Sequence, residues 1–133
     1  MISPVEIRVS SRRRWVHTGF PLVAGATYRI EVPPGQHWWD LYIRYGPEGG
    51  VTGPLQRGLA DKLRVKGHAL RTAEYFTLIG TIGESIEHAF VIGAGPCVFT
   101  APISGELVCF ANDLDPAYWN NFGSMKLSIV QTV

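Results

Sequence analysis

The ten residues from Asn112 to Asn121 read Asn-Asp-Leu-Asp-Pro-Ala-Tyr-Trp-Asn-Asn, and five of them carry carboxylate or amide oxygens. A hard cation such as calcium takes about six to eight oxygen ligands from side chains of these types and from backbone carbonyls. Two acids, Asp113 and Asp115, with three neutral amides leave such an ion partly uncompensated. That suits a neutral partner able to offer hydroxyl lone pairs. Asn and Asp also build turns by hydrogen-bonding their own backbone, and on composition alone the two readings stand level. The spacing does not follow the EF-hand loop.

The remaining chemistry-bearing residues are less concentrated. His17, His37, His68 and His88 form no pair at metal-ligand spacing. His37 and Asp40 have the types of a base and its orienting acid, but no Ser or Cys stands in a nucleophile motif and no phosphate-cradling Gly loop occurs. A glycosidase needs two opposed carboxylates, and Asp113 is better used on a metal. The chain therefore reads as a binding protein and not an enzyme. Arg12, Arg13 and Arg14 make its one basic cluster; a solvated loop is the expectation there, an anion patch the other reading.

The elements that position these residues follow from composition and period. Hydrophobic residues make up 46% and charged residues 17% of 133, as in a globular chain. A net charge of +1 and the lack of a basic surface interleaved with aromatics argue against a nucleic-acid partner. No apolar run is long enough for membrane insertion. The N-terminal stretch carries no secretory signal, which favours the cytoplasm with release by an unconventional route left open. Cys97 and Cys109 read as core thiols, paired only if their strands are neighbours.

Period-two alternation marks strands at Val5-Ile7-Val9, Tyr28-Ile30-Val32, Trp39-Leu41-Ile43-Tyr45 and Met125-Leu127-Ile129. More uniformly apolar runs at 75–79, 88–92, 97–100 and 105–111 suit central strands. Fifteen Gly and nine Pro fall largely between these runs, as turn punctuation does. The expectation is one all-β domain over 1–133, an antiparallel β-sandwich of jelly-roll type with about eight strands. Residues 60–74 fit a short helix or a long loop.

Several segments together resemble the calcium-dependent, galactose-binding lectins of the LecA type from Gram-negative bacteria and related jelly-roll domains. They are Trp15-Val16-His17-Thr18-Gly19, Ala24-Gly25-Ala26-Thr27-Tyr28, Gly46-Pro47-Glu48-Gly49, Leu78-Ile79-Gly80-Thr81-Ile82-Gly83 and Ser104-Gly105-Glu106-Leu107. The most specific is Asn112-Asp113 followed by Tyr118-Trp119-Asn120-Asn121-Phe122-Gly123-Ser124. The resemblance implies calcium held by Asp113, by the side-chain oxygens of Asn120 and Asn121, and by the backbone carbonyls of Ala117 and Trp39. It further implies that two sugar hydroxyls complete the ion's shell, with Asp113 and Asn120 also hydrogen-bonding the sugar. Gln56 keeps a sugar-contacting glutamine, whereas Gly53 stands where the family has a sugar-contacting histidine. The chain is also longer around Arg57 and between Leu59 and Leu78, on the expected rim.

On this reading Trp38 offers an aromatic face to a sugar ring, while Trp39, sharing a face with Leu41, goes to the core. Trp119 is another candidate wall. The function expected is a calcium-dependent carbohydrate-binding domain for galactose or a related hexose, gaining avidity if it forms a homo-oligomer. The alternative is an interaction or assembly module that keeps the sandwich and binds no sugar.

Overall fold

A computed structural model describes residues 3–41, 43–50, 76–113 and 115–132. Among them eleven strands occur: β1 (Val5–Ser10), β2 (Val16–Leu22), β3 (Thr27–Glu31), β4 (Trp38–Asp40), β5 (Ile43–Tyr45), β6 (Leu78–Ile82), β7 (Phe90–Val91), β8 (Cys97–Thr100), β9 (Gly105–Ala111), β10 (Asn121–Phe122) and β11 (Ser124–Gln131). Two antiparallel four-stranded sheets, ordered β1-β11-β3-β8 and β2-β9-β6-β7, form a β-sandwich, and a three-stranded sheet β10-β4-β5 joins them. The residues 60–74 lie outside the described residues.

Alternation decides which side chains meet. In the first sheet Ile7, Val9, Tyr28, Ile30, Met125, Leu127 and Ile129 are buried, and their neighbours along each strand face outward. They pack against Leu22, Leu78, Ile82, Leu107, Cys109 and Ala111 of the second sheet in one core cluster. Truncating any one of the large residues would cost about 2–5 kcal/mol, the transfer term plus a cavity term. The second sheet is covered outside as well. There Ile79 and Phe110 pack beneath Trp15 and Ala89, with the Trp15 ring edge-on to Phe110 at 5.4 Å. This two-sided burial is why residues 105–111 read as uniformly apolar.

The strand count exceeds expectation for identifiable reasons. The run 39–45 is not one strand but the hairpin β4-β5, with Asp40 opposite Ile43. Leu41 takes a φ of 55°, as the first residue of a two-residue hairpin turn does, and is 50% exposed. That turn reverses the expected faces: Trp38 pairs with Tyr45 and both are buried, whereas Trp39 pairs with Arg44 and is only half-buried. Gly123, at φ 90°, separates β10 from β11. The strand expected at 75–79 begins at Leu78, after Phe76 in a left-handed conformation at φ 65°.

Cys97 on β8 and Cys109 on β9 are free and lie in different sheets. Burial alone pushes the Cys109 thiol up to about 12 and raises that of half-buried Cys97.

The register of β2 against β9 shifts between His17 and Pro21, and an ionic clamp spans that irregularity. His17 Nδ1 lies 2.8 Å from Glu106 Oε1 and Nε2 lies 2.6 Å from Glu84 Oε2. Glu106 Oε2 accepts the Gly19 N–H at 2.8 Å. Both carboxylates can only accept, so a neutral imidazole satisfies one of them and an imidazolium satisfies both. Hydrogen bonds to Glu106 and then Glu84 accordingly raise the His17 pKa. Those from His17 and the Gly19 backbone lower that of Glu106. The His17 contribution is complete below its unfolded value, ~6.5, and fades as pH rises through its folded value. The Glu106 contribution is complete above ~4.3 and fades as pH falls through its folded value. The melting-temperature gap between wild type and His17→Gln should therefore be widest near pH ~5.5 and close toward pH ~9. A gap independent of pH in thermal scans would show that the clamp works without its charge.

Candidate functional site

Three chain segments converge on the 112–121 loop. β9 delivers Asn112 and Asp113 at its end, and both are fully buried, as is Asn121. A 3₁₀ turn, Asp115–Asn120, then leads directly into β10. The loop is fastened by backbone bonds: Asn112 N–H to Thr77 O at 2.9 Å, Phe76 N–H to Asn112 O at 2.9 Å, and Leu41 N–H to Asn120 O at 3.0 Å. Tyr118, also buried, donates its hydroxyl to Ala111 O at 2.6 Å, which turns the chain back onto the end of β9.

Asn121 is the centre of this arrangement. Its Nδ2 donates to Ser11 O and to Asp113 Oδ2, both at 2.9 Å. Both partners only accept, so the amide orientation is forced and Oδ1 must point the other way. That oxygen is buried without a hydrogen-bond partner, and so is Oδ1 of the adjacent Asn120. A buried acceptor left unmet costs about 1–3 kcal/mol, and here there are two beside a buried carboxylate. The two amide oxygens, neutral and meeting no donor, are of the type a hard cation prefers. Clusters of three or more His, Cys, Asp or Glu are absent among the described residues, so any ion here depends on amides and carbonyls.

The expected site residues divide. Asp113 and Asn121 are joined by a hydrogen bond, and Asn120 precedes Asn121 at the end of the 3₁₀ turn. The Ala117 backbone lies in the same 3₁₀ turn, and Trp39 lies on β4, opposite Phe122 of β10. Gly53 and Gln56 lie outside the described residues. Trp38 is not a sugar-facing wall: it is fully buried, donates Nε1–H to Phe76 O at 3.2 Å and meets the Phe76 ring edge-on. The hairpin turn at Leu41 is the physical cause, and the tryptophan with an open side is Trp39. Trp119 is 71% exposed. His37 does not orient toward Asp40 in a base–acid pair; its Nδ1 bonds Gly35 O at 2.9 Å and its ring stands edge-on to Trp39 at 4.6 Å.

Sequence reasoning missed Ser11. It is buried, its carbonyl orients Asn121, and its N–H and hydroxyl both donate to Gly123 O at 3.0 Å. More than a hundred residues separate it from the loop, and a Ser just beyond a strand carries no sequence signal.

No family model matches the chain, and neither does any curated protein. Among solved structures it is similar to the N-terminal domain of EclA, described as a PllA-like lectin. The match covers 97% of this chain and 98% of that one, at 18% identity and a TM-score of 0.67. The chain thus has a lectin-like antiparallel β-sandwich fold.

Replacing Asn121 by Ala removes the donor shared by Ser11 O and Asp113 Oδ2. It should lower stability in EDTA by about 1–3 kcal/mol in urea unfolding. A loss within ~0.5 kcal/mol, the range of an ordinary surface site, would show that the amide does not organise the loop.

Proposed function

We propose that the protein is a calcium-dependent carbohydrate-binding domain, with Asp113, Asn120 and Asn121 holding the ion. The observation that carries this reading is the pair of buried, partnerless amide oxygens on Asn120 and Asn121 beside the buried Asp113 carboxylate. The backbone carbonyls of Ala117 and Trp39 are the further ligands proposed. A bound calcium ion would offer its open coordination positions to adjacent hydroxyls of a hexose, galactose or a relative. The protein's own part is positional. Ser11 and Asp113 fix the Asn121 amide so that its oxygen faces away from both, and Tyr118 fixes the turn that delivers Asn120. The likeness to a lectin domain over nearly the whole chain supports the same reading. Binding without catalysis fits a site whose carboxylate is committed to a metal.

Calcium at a hundred times its dissociation constant should stabilise the fold by roughly 2.7 kcal/mol. In thermal scans against EDTA that is a rise on the order of 3–6 °C, with Asp113→Ala abolishing it. Calcium-dependent retention on immobilised galactose or on a glycan array would then identify the sugar. Absence of any calcium shift in the wild type would overturn the ion site. It would leave an interaction module that binds no sugar as the better description.

A further inference from the structure

The outward face of the small sheet carries a row of side chains that calcium binding does not use. Along β10 Asn121 is buried and Phe122 is 46% exposed; along β4 Trp38 is buried and Trp39 half-buried; along β5 Tyr45 is buried and Arg44 exposed. Register places Phe122 opposite Trp39 and Trp39 opposite Arg44, so the three stand side by side on one face. Arg12 extends the row, its guanidinium carbon 5.6 Å from the centroid of the Phe122 ring. The Ser11 bonds to Gly123 hold it there. The Trp39 ring covers Gly123, where an added Cβ would come within 3.0 Å of it, and the His37 ring braces it edge-on. Among the described residues neither Arg12 nor Arg44 is in an ion pair.

We infer that this row is a second subsite, and that the ligand is an acidic oligosaccharide with a carboxylated or sulfated ring packed on Phe122 and Trp39. The inference rests on the lectin reading of the neighbouring site. Aromatic faces pack against the apolar face of a pyranose while its polar groups reach past the ring edge. A guanidinium at either end of the row meets an anionic substituent with charge-assisted, bidentate hydrogen bonds. β10 and β5 are about 10 Å apart at ordinary strand spacing, room for more than one ring, and Asn120 and Asn121 lead directly into Phe122. A nucleic acid is the poorer match, because the chain as a whole carries only +1.

The test is calorimetric titration of the full chain, in calcium and in EDTA, with galactobiose, sulfated galactobiose and digalacturonic acid. At least one acidic probe should bind about tenfold tighter than galactobiose, the size of one charge-assisted hydrogen bond. Arg44→Gln or Arg12→Gln should remove that advantage while leaving galactobiose affinity and the calcium-induced rise in melting temperature intact. Which acidic arm gains identifies the substituent. Equal affinity for acidic and neutral probes, an advantage that survives both substitutions, or equally tight binding of a short oligonucleotide in EDTA would each overturn the subsite. If galactobiose binds with calcium but the acids gain nothing, only the subsite fails. If no probe binds and calcium does not stabilise the fold, the lectin reading fails and the subsite falls with it.

Discussion

Asn121 holds three parts of the molecule to one another through a single planar amide. One Nδ2 hydrogen goes to the carbonyl of Ser11, just beyond β1 of the first sheet, and the other to Asp113, just beyond β9 of the second. Asn121 itself begins the third sheet. The amide therefore sits where the sandwich and the small sheet join, with its oxygen buried and without a hydrogen-bond partner. A side chain that donates twice to carbonyl and carboxylate oxygens cannot flip without placing acceptor against acceptor. That constraint gives the loop one orientation of its oxygens before any ligand arrives, and preorganisation of this kind reduces the ordering cost of binding.

The same geometry ties the face of the small sheet to its interior. Alternation along β10 points Asn121 inward and Phe122 outward, and alternation along β4 does the same for Trp38 and Trp39. Gly123 closes the arrangement, since the Trp39 ring occupies the space a side chain there would need. Aromatic row and oxygen cluster are thus carried by one short piece of backbone.

Much of the sandwich was legible because period two is a property of the strand itself. β1, β3 and β11 bury the residues their alternation marks, and β9 betrays its two-sided burial by an unbroken apolar run. The hairpin at 38–45 was not legible. Its apolar residues keep alternating straight through the turn, and Leu41 is neither Gly nor Asn, so nothing announces a positive φ. A two-residue turn moved Trp38 into the core and Trp39 toward solvent, the reverse of the sequence expectation. In the site, Asp113, Asn120 and Asn121 stood out by type and closeness in the chain. Ser11 and Arg12 reach the same place only through the fold, and contacts across such sequence separations leave no local trace.

The two cysteines offer a built-in clock for the molecule's opening. Cys109 lies at zero exposure in the middle of β9, paired on one side with β2 and on the other with β6, its thiol held in the unreactive protonated form. Cys97 lies half-buried on the edge strand β8. A thiol reagent reaches Cys97 through local fraying, but Cys109 only after both of β9's ladders part. The ratio of their labelling rates therefore separates loosening of an edge from loss of the whole sandwich, in a chain that carries no other thiol to confuse the record.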